Sequence, residues 1–340
     1  MKKEGFAVVG TGYWGGNYVR LLSQLSETEL LAIVDVSQER LDAFGTRFPD
    51  VAKYHDIDPI LAREEIGSVV VCTNPGSHFD VTKRLLQAGK HVLVEKPMTL
   101  EADTSQILVN IAKEKGVTLM VGHIFLYHPA VEKMKSYILC GDLGDVHYLY
   151  SQRTNLGPIR KDVNALWDLA PHDISIFNYL LDSQPIWVSA VGTRFLSNYS
   201  EDAGFIVLGY QNGVLGNIHV SWADPHKVRE VVAVGSKQRI SFNDTSPDEK
   251  VRVFEKGVAA SATAYADYGE YQLLIRDGDV ISPKIPAVEP LKSEVMHFIE
   301  CVHNGTQPLT DGENGLSVVR IMEAVNESVQ KNGTPVYLKY

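Results

Sequence analysis

Two short segments carry side chains whose types and spacing could support hydride transfer to a dinucleotide. The first is the glycine-rich turn GTGYWG, which begins at Gly10, follows an apolar run and precedes a helix-like stretch. Gly10 permits the tight turn, Gly12 lets the backbone approach a pyrophosphate, and Gly15 allows the helix to pack closely on the strand. The second is VLVEKP, which places the ammonium of Lys96 at the end of a strand. A phosphate-binding turn with a cation beside it predicts hydride transfer.

Asp35 indicates which dinucleotide is bound. It closes the apolar run Leu30–Val34 and lies 20 residues beyond Gly15. A carboxylate at this place accepts the adenosine ribose hydroxyls, whereas a 2′-phosphate would meet a like charge. NAD is therefore predicted in preference to NADP, and Arg40 is the residue that could overturn this preference. The alternative is an aspartate that ends the strand and caps the helix Gln38–Phe48.

The first 120 residues alternate between apolar runs and helical patterns, which is typical of a parallel sheet covered on both faces. The predicted strands are Phe6–Val9, Leu30–Val34, Val69–Cys72, His91–Val94 and Val117–Val121. The predicted helices are Asn17–Leu25, Gln38–Phe48, Phe79–Ala88 and Thr104–Lys115. This order predicts the α/β class, with an N-terminal Rossmann dinucleotide-binding domain over residues 1–122.

Beyond Gly122, strand-like segments recur and are mostly linked by short turns. They lie at Val146–Gln152, Trp187–Leu196, Gly204–Tyr210, Val214–Trp222, Val228–Val234, Gln238–Phe242, Val251–Phe254 and Tyr271–Arg276. The pairs Asn212-Gly213 and Asp277-Gly278 are dipeptides that type I′ hairpin turns prefer, which predicts antiparallel pairing. Helices are expected at Leu291–His303 and Leu316–Lys331. Residues 123–340 are therefore expected to form a substrate-binding α+β domain with an open, mostly antiparallel sheet.

Length, charge and cysteine content limit the possible functions. A chain of 340 residues is long enough for two domains. The balance of 32 basic against 42 acidic residues gives a net charge of −10, and no basic stretch is interleaved with aromatic residues, which argues against a nucleic-acid partner. The three cysteines are scattered, no signal peptide is recognisable, and no apolar run approaches ~18 residues. A cytoplasmic protein with reduced thiols and no membrane partner is expected.

Several longer motifs together resemble one family from end to end. They are GTGYWG, TNPGSH, AGKHVLVEKPM, GHIFLYHP, WDLAPHDISI and DGENGLSVVRIMEA. The chain resembles the glucose-fructose oxidoreductase and inositol dehydrogenase family (Gfo/Idh/MocA) of NAD(P)-dependent oxidoreductases. The resemblance implies two domains with the site between them, and it implies that Lys96, Asp168 and His172 are catalytic. It also implies that the bond between Lys96 and Pro97 is often cis.

The same three residues suit the oxidation of a secondary alcohol, in which a hydride leaves carbon and a proton leaves oxygen. His172 is the predicted base, because Pro171 is expected to open a helix whose positive end would keep the imidazole neutral. Lys96 is expected to polarise the hydroxyl and stabilise the developing alkoxide. Asp168 is expected to orient the imidazole or to bind a substrate hydroxyl, and the alternative for it is a helix N-cap.

Further residues are predicted to line the site. The additional cofactor contacts are Thr11, Tyr13, Trp14, Thr73, Asn74, His78, Glu95, Pro97 and Trp167. His78 could equally cap a helix, and Trp167 could be an ordinary core residue. The residues expected on the substrate side are His123, Tyr127, His128, Arg153, Asn155, Arg160, Asn164 and His172. His297 and Cys301 have the spacing of a metal-ligand pair, but no second pair accompanies them, so no metal is predicted.

The substrate is suggested only by a cluster of basic residues in the segment Ser151–Asp168. Arg153, Arg160 and Lys161 could bind the oxygens of a diphosphate or a uronate, although solvated loop charges explain the cluster too. The resemblance leans toward enzymes acting at C3 of a nucleotide-linked sugar. The alternatives are a free inositol or aldose as substrate, or a non-catalytic dinucleotide-binding sensor, which the presence of all three catalytic residues disfavours.

The many strands after Gly122 also predict association. A sheet covered by helices on one face would leave an apolar face open, and such patches are usually buried by assembly. A homodimer or homotetramer joined through the second domain is therefore expected.

Overall fold

The computed structural model describes residues 3–157, 159–196, 200–258 and 275–340. They form two compact units, of which the first contains Met1–Ile124 and Glu289–Arg320 and the second contains Phe125–Val288 and Ile321–Tyr340. The domains expected from the sequence differ from these units in placing residues 289–320 with the second half of the chain.

The first unit is built on a parallel sheet that buries small β-branched residues on both faces. Its strands are β1 Glu4–Val9, β2 Thr28–Val34, β3 Ala52–Tyr54, β4 Ser68–Val71, β5 His91–Glu95 and β6 Leu119–Gly122. They are ordered β3-β2-β1-β4-β5-β6 with every pair parallel, which is the Rossmann arrangement. The predicted parallel sheet is confirmed. The edge strand β3 was not predicted, because three residues are too few to show a periodicity.

Amphipathic helices connect these strands and cover the sheet. They are α1 Tyr13–Gln24, α2 Gln38–Arg47, α3 Asp58–Leu61, α4 Pro75–Gln87 and α5 Ala102–Lys115. The later helix α8, Pro290–Asn304, also belongs to this unit. Its Phe298 lies 6.1 Å from the ring of Phe6, and Asp311 forms an isolated bridge with Met120. These long-range contacts explain why the segment from Glu289 to Arg320 joins the first unit.

The second unit contains a nine-stranded sheet. Its strands are β7 Val146–Leu156, β8 Pro185–Thr193, β9 Ala203–Tyr210, β10 Leu215–Ser221, β11 Ala223–Gly235, β12 Arg239–Asn243, β13 Val251–Phe254, β16 Val280–Ile281 and β17 Val336–Tyr337. The order is β16-β13-β12-β11-β7-β10-β9-β8-β17. β10 pairs with β7 in parallel and the other pairs are antiparallel, so the predicted mostly antiparallel sheet is confirmed. The helices of this half within the described residues are α6 Pro129–Leu139 and α7 Ala165–Leu181, and α9 Gly312–Gln330 follows later in the chain.

The two predicted hairpin turns differ in outcome. Asn212-Gly213 connects the antiparallel pair β9 and β10, as expected, but Gly213 alone has a positive φ (+83°), so the turn is not type I′. The hydrogen bond from the Tyr210 amide to the Val214 carbonyl closes a three-residue loop instead. Asp277-Gly278 does not join paired strands. It lies between β15, Ile275–Arg276, which pairs with β14, Gly257–Val258, and β16, which pairs with β13. Residues 271–274 of the predicted strand lie outside the described residues.

One face of the nine-stranded sheet carries α7, and the other exposes apolar side chains. Tyr148, Val191, Phe205 and Leu215 occupy this outer face and are each between 46% and 49% exposed. The Phe205 ring stacks on that of His219, with centroids 4.4 Å apart. The second unit therefore has an apolar surface of the kind that association usually covers.

Candidate active site

The glycine turn of the first unit has the geometry that a dinucleotide requires. Gly10 adopts a φ of +87°, and a Cβ there would lie 2.7 Å from the Cys72 carbonyl. A Cβ on Gly15 would lie 1.8 Å from the carbonyl oxygen of Gly10, so this glycine is needed for helix-to-strand packing. A Cβ on Gly12 would meet nothing nearer than the Arg40 guanidinium at 3.9 Å. The backbone at Gly12, the N-cap of α1, is thus open to a pyrophosphate, and the turn fits the cofactor.

Asp35 is anchored to this turn. Its Oδ2 accepts hydrogen bonds from the amide (2.7 Å) and hydroxyl (2.9 Å) of Thr11, and its Oδ1 accepts from the amide of Ser37 (2.9 Å). The Arg40 guanidinium lies 3.5 Å from Oδ2. Burial alone would raise the pKa of Asp35, but the donors of Ser37 and Thr11 outweigh it and lower the pKa below its ordinary value. Asp35 is therefore a carboxylate held at the end of β2, and Ser37, not Asp35, caps α2.

His78 connects the loops that follow β4 and β5. Its Nδ1 lies 2.8 Å from the carbonyl oxygen of Pro97, and its Nε2 lies 3.0 Å from the carbonyl oxygen of Thr73. Asn74 occupies the N-cap position of α4, so His78 lies within the helix and is not its cap. The bond between Lys96 and Pro97 is cis, as the resemblance implied. Lys96 is thus placed at the carboxyl end of β5, the edge of a Rossmann sheet where ligands bind.

His123 follows β6 in the same unit and is only 1% exposed. Neither ring nitrogen has a hydrogen-bond partner within the described part of the chain. Burial and the ammonium of Lys96 lower the pKa of His123 to about 3. His123 is therefore a neutral imidazole near Lys96, and its predicted contact with substrate stays a prediction.

Helix α7 of the second unit carries Asp168 and His172. The helix begins at Ala165, where the side chain of Asn164 accepts a hydrogen bond from the Trp167 amide (2.9 Å), and Pro171 lies inside it. The prediction that Pro171 opens the helix is wrong, because Asn164 supplies the cap seven residues earlier. His172 does not lie in the first turn, so the prediction that the positive helix end keeps its imidazole neutral is wrong.

The carboxylate of Asp168 is held by two donors from different parts of the second unit. Its Oδ1 accepts from Arg160 (3.0 Å), and its Oδ2 accepts from the indole Nε1 of Trp222 (3.2 Å). The Arg160 guanidinium also binds Asp162 through two further hydrogen bonds. Asp168 is therefore not a helix cap. Trp222 was missed in the sequence, where its position at a strand end gave no signal of a hydrogen-bond partner.

Arg153 has a different environment from the one expected of a substrate ligand. It is 5% exposed and forms two hydrogen bonds of 2.9 Å with Asp173, which is fully buried. The guanidinium lies 4.4 Å from the ring centroid of Phe125, and that ring lies edge-on to His172 with centroids 5.1 Å apart. This arrangement argues against the predicted substrate role of Arg153. Instead, it supports the face of α7 from which His172 projects.

The remaining predicted residues are divided between surface and interior. Tyr13 is 83% exposed and Trp14 is 37% exposed on the first turn of α1. Trp167 is 5% exposed, which favours the core alternative for it. Three further predicted substrate-side residues have these places: Tyr127 is buried in a 3₁₀ turn, His128 caps α6, and Asn155 lies in β7. Asn164, besides capping α7, donates to Glu201 (2.8 Å).

Two further observations concern metals and membranes. In the ranges that the structure describes, no group of three or more His, Cys, Asp or Glu side chains could hold a metal ion. The Nε2 of His297 lies 3.5 Å from the Sγ of Cys301 and accepts from the amide of Leu309 (3.0 Å). Among the described helices, none is long and apolar enough to cross a membrane.

A Rossmann unit with an open glycine turn, followed by a unit with a mostly antiparallel sheet, defines a two-unit dinucleotide-binding oxidoreductase. The chain belongs to the Gfo/Idh/MocA oxidoreductase family. The model of the family's NAD-binding Rossmann fold matches residues 5–123, and the model of its C-terminal domain matches residues 131–241.

Characterised relatives differ in substrate. The chain is 29% identical to UDP-N-acetylglucosamine 3-dehydrogenase of Acidithiobacillus ferrooxidans over 217 residues, which span 63% of this chain and 66% of that protein. It is 24% identical to scyllo-inositol 2-dehydrogenase (NAD(+)) of Bacillus subtilis over 345 residues, or 98% of this chain and 95% of that protein. The solved WlbA dehydrogenase of Bordetella pertussis, in complex with NADH and UDP-GlcNAcA, has a TM-score of 0.81 at 20% identity, with 100% of both chains covered. The fold is thus shared.

Proposed function

We propose that the protein is an NAD-dependent dehydrogenase that exchanges a hydride between nicotinamide and a secondary alcohol or ketone of a sugar. The observation that carries this proposal is the position of Lys96, at the carboxyl end of β5 in the unit that holds the glycine turn. When bound, the nicotinamide accepts or returns the hydride. His172 takes the hydroxyl proton, and the Lys96 ammonium stabilises the negative charge that develops on oxygen. Asp168, one helical turn before His172, orients the imidazole or binds a neighbouring substrate hydroxyl.

NAD is the proposed cofactor in preference to NADP. Support comes from Asp35, whose lowered pKa keeps a negative charge where a 2′-phosphate would lie. Arg40 is 57% exposed at its side chain and 3.5 Å from Asp35, so the carboxylate partly offsets the cation that could otherwise attract the phosphate.

The proposed substrate is a nucleotide-linked sugar oxidised at C3. This rests on the 29% identity to the UDP-N-acetylglucosamine 3-dehydrogenase, the highest of the three identities given above. A free inositol is the second candidate, because the scyllo-inositol enzyme matches nearly the whole chain. We further propose a cytoplasmic homodimer or homotetramer that buries the outer face of the nine-stranded sheet.

The test is the absorbance of reduced nicotinamide with a panel of nucleotide sugars, inositols and aldoses. Using the substrate found, His172→Ala should lower turnover by on the order of 10²- to 10⁴-fold with little change in NAD affinity. The parent and Lys96→Ala should both lose activity below neutral pH as an imidazole is protonated, whereas His172→Ala should lack this limb. A limb that disappears with Lys96 and survives the loss of His172 would make lysine the base. Tight NAD binding without turnover of any compound would favour the sensor.

A further inference from the structure

Three ionisable side chains lie in contact inside the first unit, and one of them, Glu95, directly precedes Lys96 in the chain. Tyr18 comes from α1, Glu95 ends β5, and Glu294 comes from α8. Tyr18 and Glu294 are fully buried, and Glu95 is 9% exposed. The Tyr18 hydroxyl lies 2.8 Å from Oε2 of Glu294 and 3.2 Å from Oε1 of Glu95. The other oxygen of Glu95, Oε2, accepts the backbone N–H of Lys96 at 3.2 Å.

The number of hydrogens in this cluster fixes its charge. Tyr18 has one hydroxyl hydrogen and can donate it to one carboxyl oxygen. Were both carboxyls ionised, the second contact would join two oxygens without a hydrogen, and two negative charges would share a buried site. A proton on one of the two carboxyls would give the second contact its hydrogen and remove one of the two charges.

Glu294 is the better holder of that proton. Glu95 receives the Lys96 amide in addition to Tyr18, whereas Oε1 of Glu294 has no hydrogen-bond partner in the described part of the chain. Burying an oxygen without a hydrogen-bond partner costs less free energy when it is the carbonyl oxygen of a neutral carboxylic acid than when it belongs to a carboxylate. The groups that face Glu294 are Tyr18, Glu95 and the Cys72 thiol after β4. Burial and then Glu95 raise the pKa of Glu294 well above its ordinary value, and burial raises that of Cys72, which stays a thiol.

We propose that Glu294 is a buried carboxylic acid that donates to Tyr18, that Tyr18 donates to the Glu95 carboxylate, and that this chain positions Lys96. Glu294 and Tyr18 are positioning residues, since they act on the reaction through Glu95 and the backbone of Lys96. This role rests on the proposed dehydrogenase function. The protonation of Glu294 does not, because it follows from contacts within the protein.

The protonation is tested by the pH dependence of unfolding, without cofactor or sugar. Above about pH 5 the unfolded chain has lost the Glu294 proton and the folded protein still holds it, so stability falls as pH rises. Between about pH 5.5 and the pKa of Glu294 in the folded protein, the unfolding constant of the parent should therefore gain about tenfold per pH unit relative to Glu294→Gln. Glu300→Gln, on the exposed face of the same helix, is the control and should follow the parent.

Glu95→Gln decides between the two carboxyls. If Glu95 held the proton, Glu95→Gln would abolish the rise of the unfolding constant with pH and Glu294→Gln would retain it. That result would overturn the assignment. Equal slopes for all four proteins would show that neither carboxyl retains a proton and would also overturn it.

The positioning role is tested by turnover. Tyr18→Phe breaks the chain at its centre and should lower kcat by about tenfold, with KM for the sugar and the affinity for NAD changed by less than about threefold. Glu294→Gln should keep most of the parent's kcat, because its amide can still donate to Tyr18. A folded Tyr18→Phe with the parent's kcat would refute the role, as would a Glu294→Gln that loses as much as Tyr18→Phe. If the parent itself turns over no sugar, the positioning role is refuted together with the proposed function. The pH dependence of the unfolding constant still shows which carboxyl holds the proton.

Discussion

Replacing Arg153 distinguishes a structural role from a substrate-binding role. Arg153 on β7 and Asp173 on α7 form two hydrogen bonds of 2.9 Å, with side chains 6% and 1% exposed. Arg153→Met keeps the aliphatic stem and removes the guanidinium. Asp173 would then be left as a buried charge without its partner, and the Phe125 ring would lose the cation above it.

The expected cost is large. Removing one partner of a buried ion pair costs about 3–5 kcal/mol, and the lost cation–π contact adds about 1 kcal/mol. The double variant Arg153→Met/Asp173→Leu should recover most of this, because an apolar replacement of a buried pair is often close to neutral. Arg160→Met is the matched control. Its guanidinium is 32% exposed at the side chain, so its loss should cost about 1 kcal/mol or less.

Urea unfolding of the three variants and the parent provides the measurement, together with KM for the sugar. We expect Arg153→Met to unfold at a much lower urea concentration, and the double variant to unfold near the parent. The reasoning is refuted if Arg153→Met unfolds like the parent and raises KM instead. That result would support the original prediction that Arg153 binds the substrate.

Three further outcomes follow from the described contacts. NAD should bind at least about tenfold tighter than NADP, a difference of about 1.4 kcal/mol, and Asp35→Ser should narrow this gap in a binding titration; equal affinities in the parent would contradict it. Because the pKa of Asp35 is lowered, its contribution to stability is present above the ordinary carboxyl pKa and is lost as pH falls through the pKa of the folded state. The free energy of unfolding of Asp35→Ser should therefore decrease less than that of the parent as the pH is lowered. Phe205→Glu should dissociate the expected oligomer in light scattering, whereas a parent that is monomeric at micromolar concentration would rule the oligomer out.

Features that depend on neighbours in sequence could be predicted. The glycine turn, the parallel strands and Asp35 at the end of β2 follow from local patterns of a few residues, and all are found. The start of α7 was misplaced because proline is common at the first position of a helix. Asn164, which was predicted on the substrate side, is the cap instead, and the helix begins at Ala165 directly after it.

Features that depend on distant contacts could not be predicted. Asp173 lies 20 residues from Arg153, and Glu294 lies 276 residues from Tyr18. In the sequence, Arg153 is indistinguishable from the loop cations near it, because the partner that neutralises it belongs to another element. Glu294 did give a weak signal, since it lies on the apolar face of α8 between Leu291 and Phe298. A carboxyl group at such a position needs a partner or a proton.

Two acidic residues of α7, Asp173 and Asp168, differ in burial, and the difference separates a structural role from the proposed role in the active site. The side chain of Asp173 is 1% exposed and forms an ion pair with the buried guanidinium of Arg153, so its charge is neutralised within the protein. Asp168 is 18% exposed, and its partner Arg160, which is shared with Asp162, is 32% exposed. An exposed ion pair is worth little and can rearrange, whereas a buried bidentate pair cannot do so without a large cost. A ligand hydroxyl could therefore compete for Asp168 but not for Asp173, and this difference supports the choice of Asp168 as the carboxylate that acts beside His172.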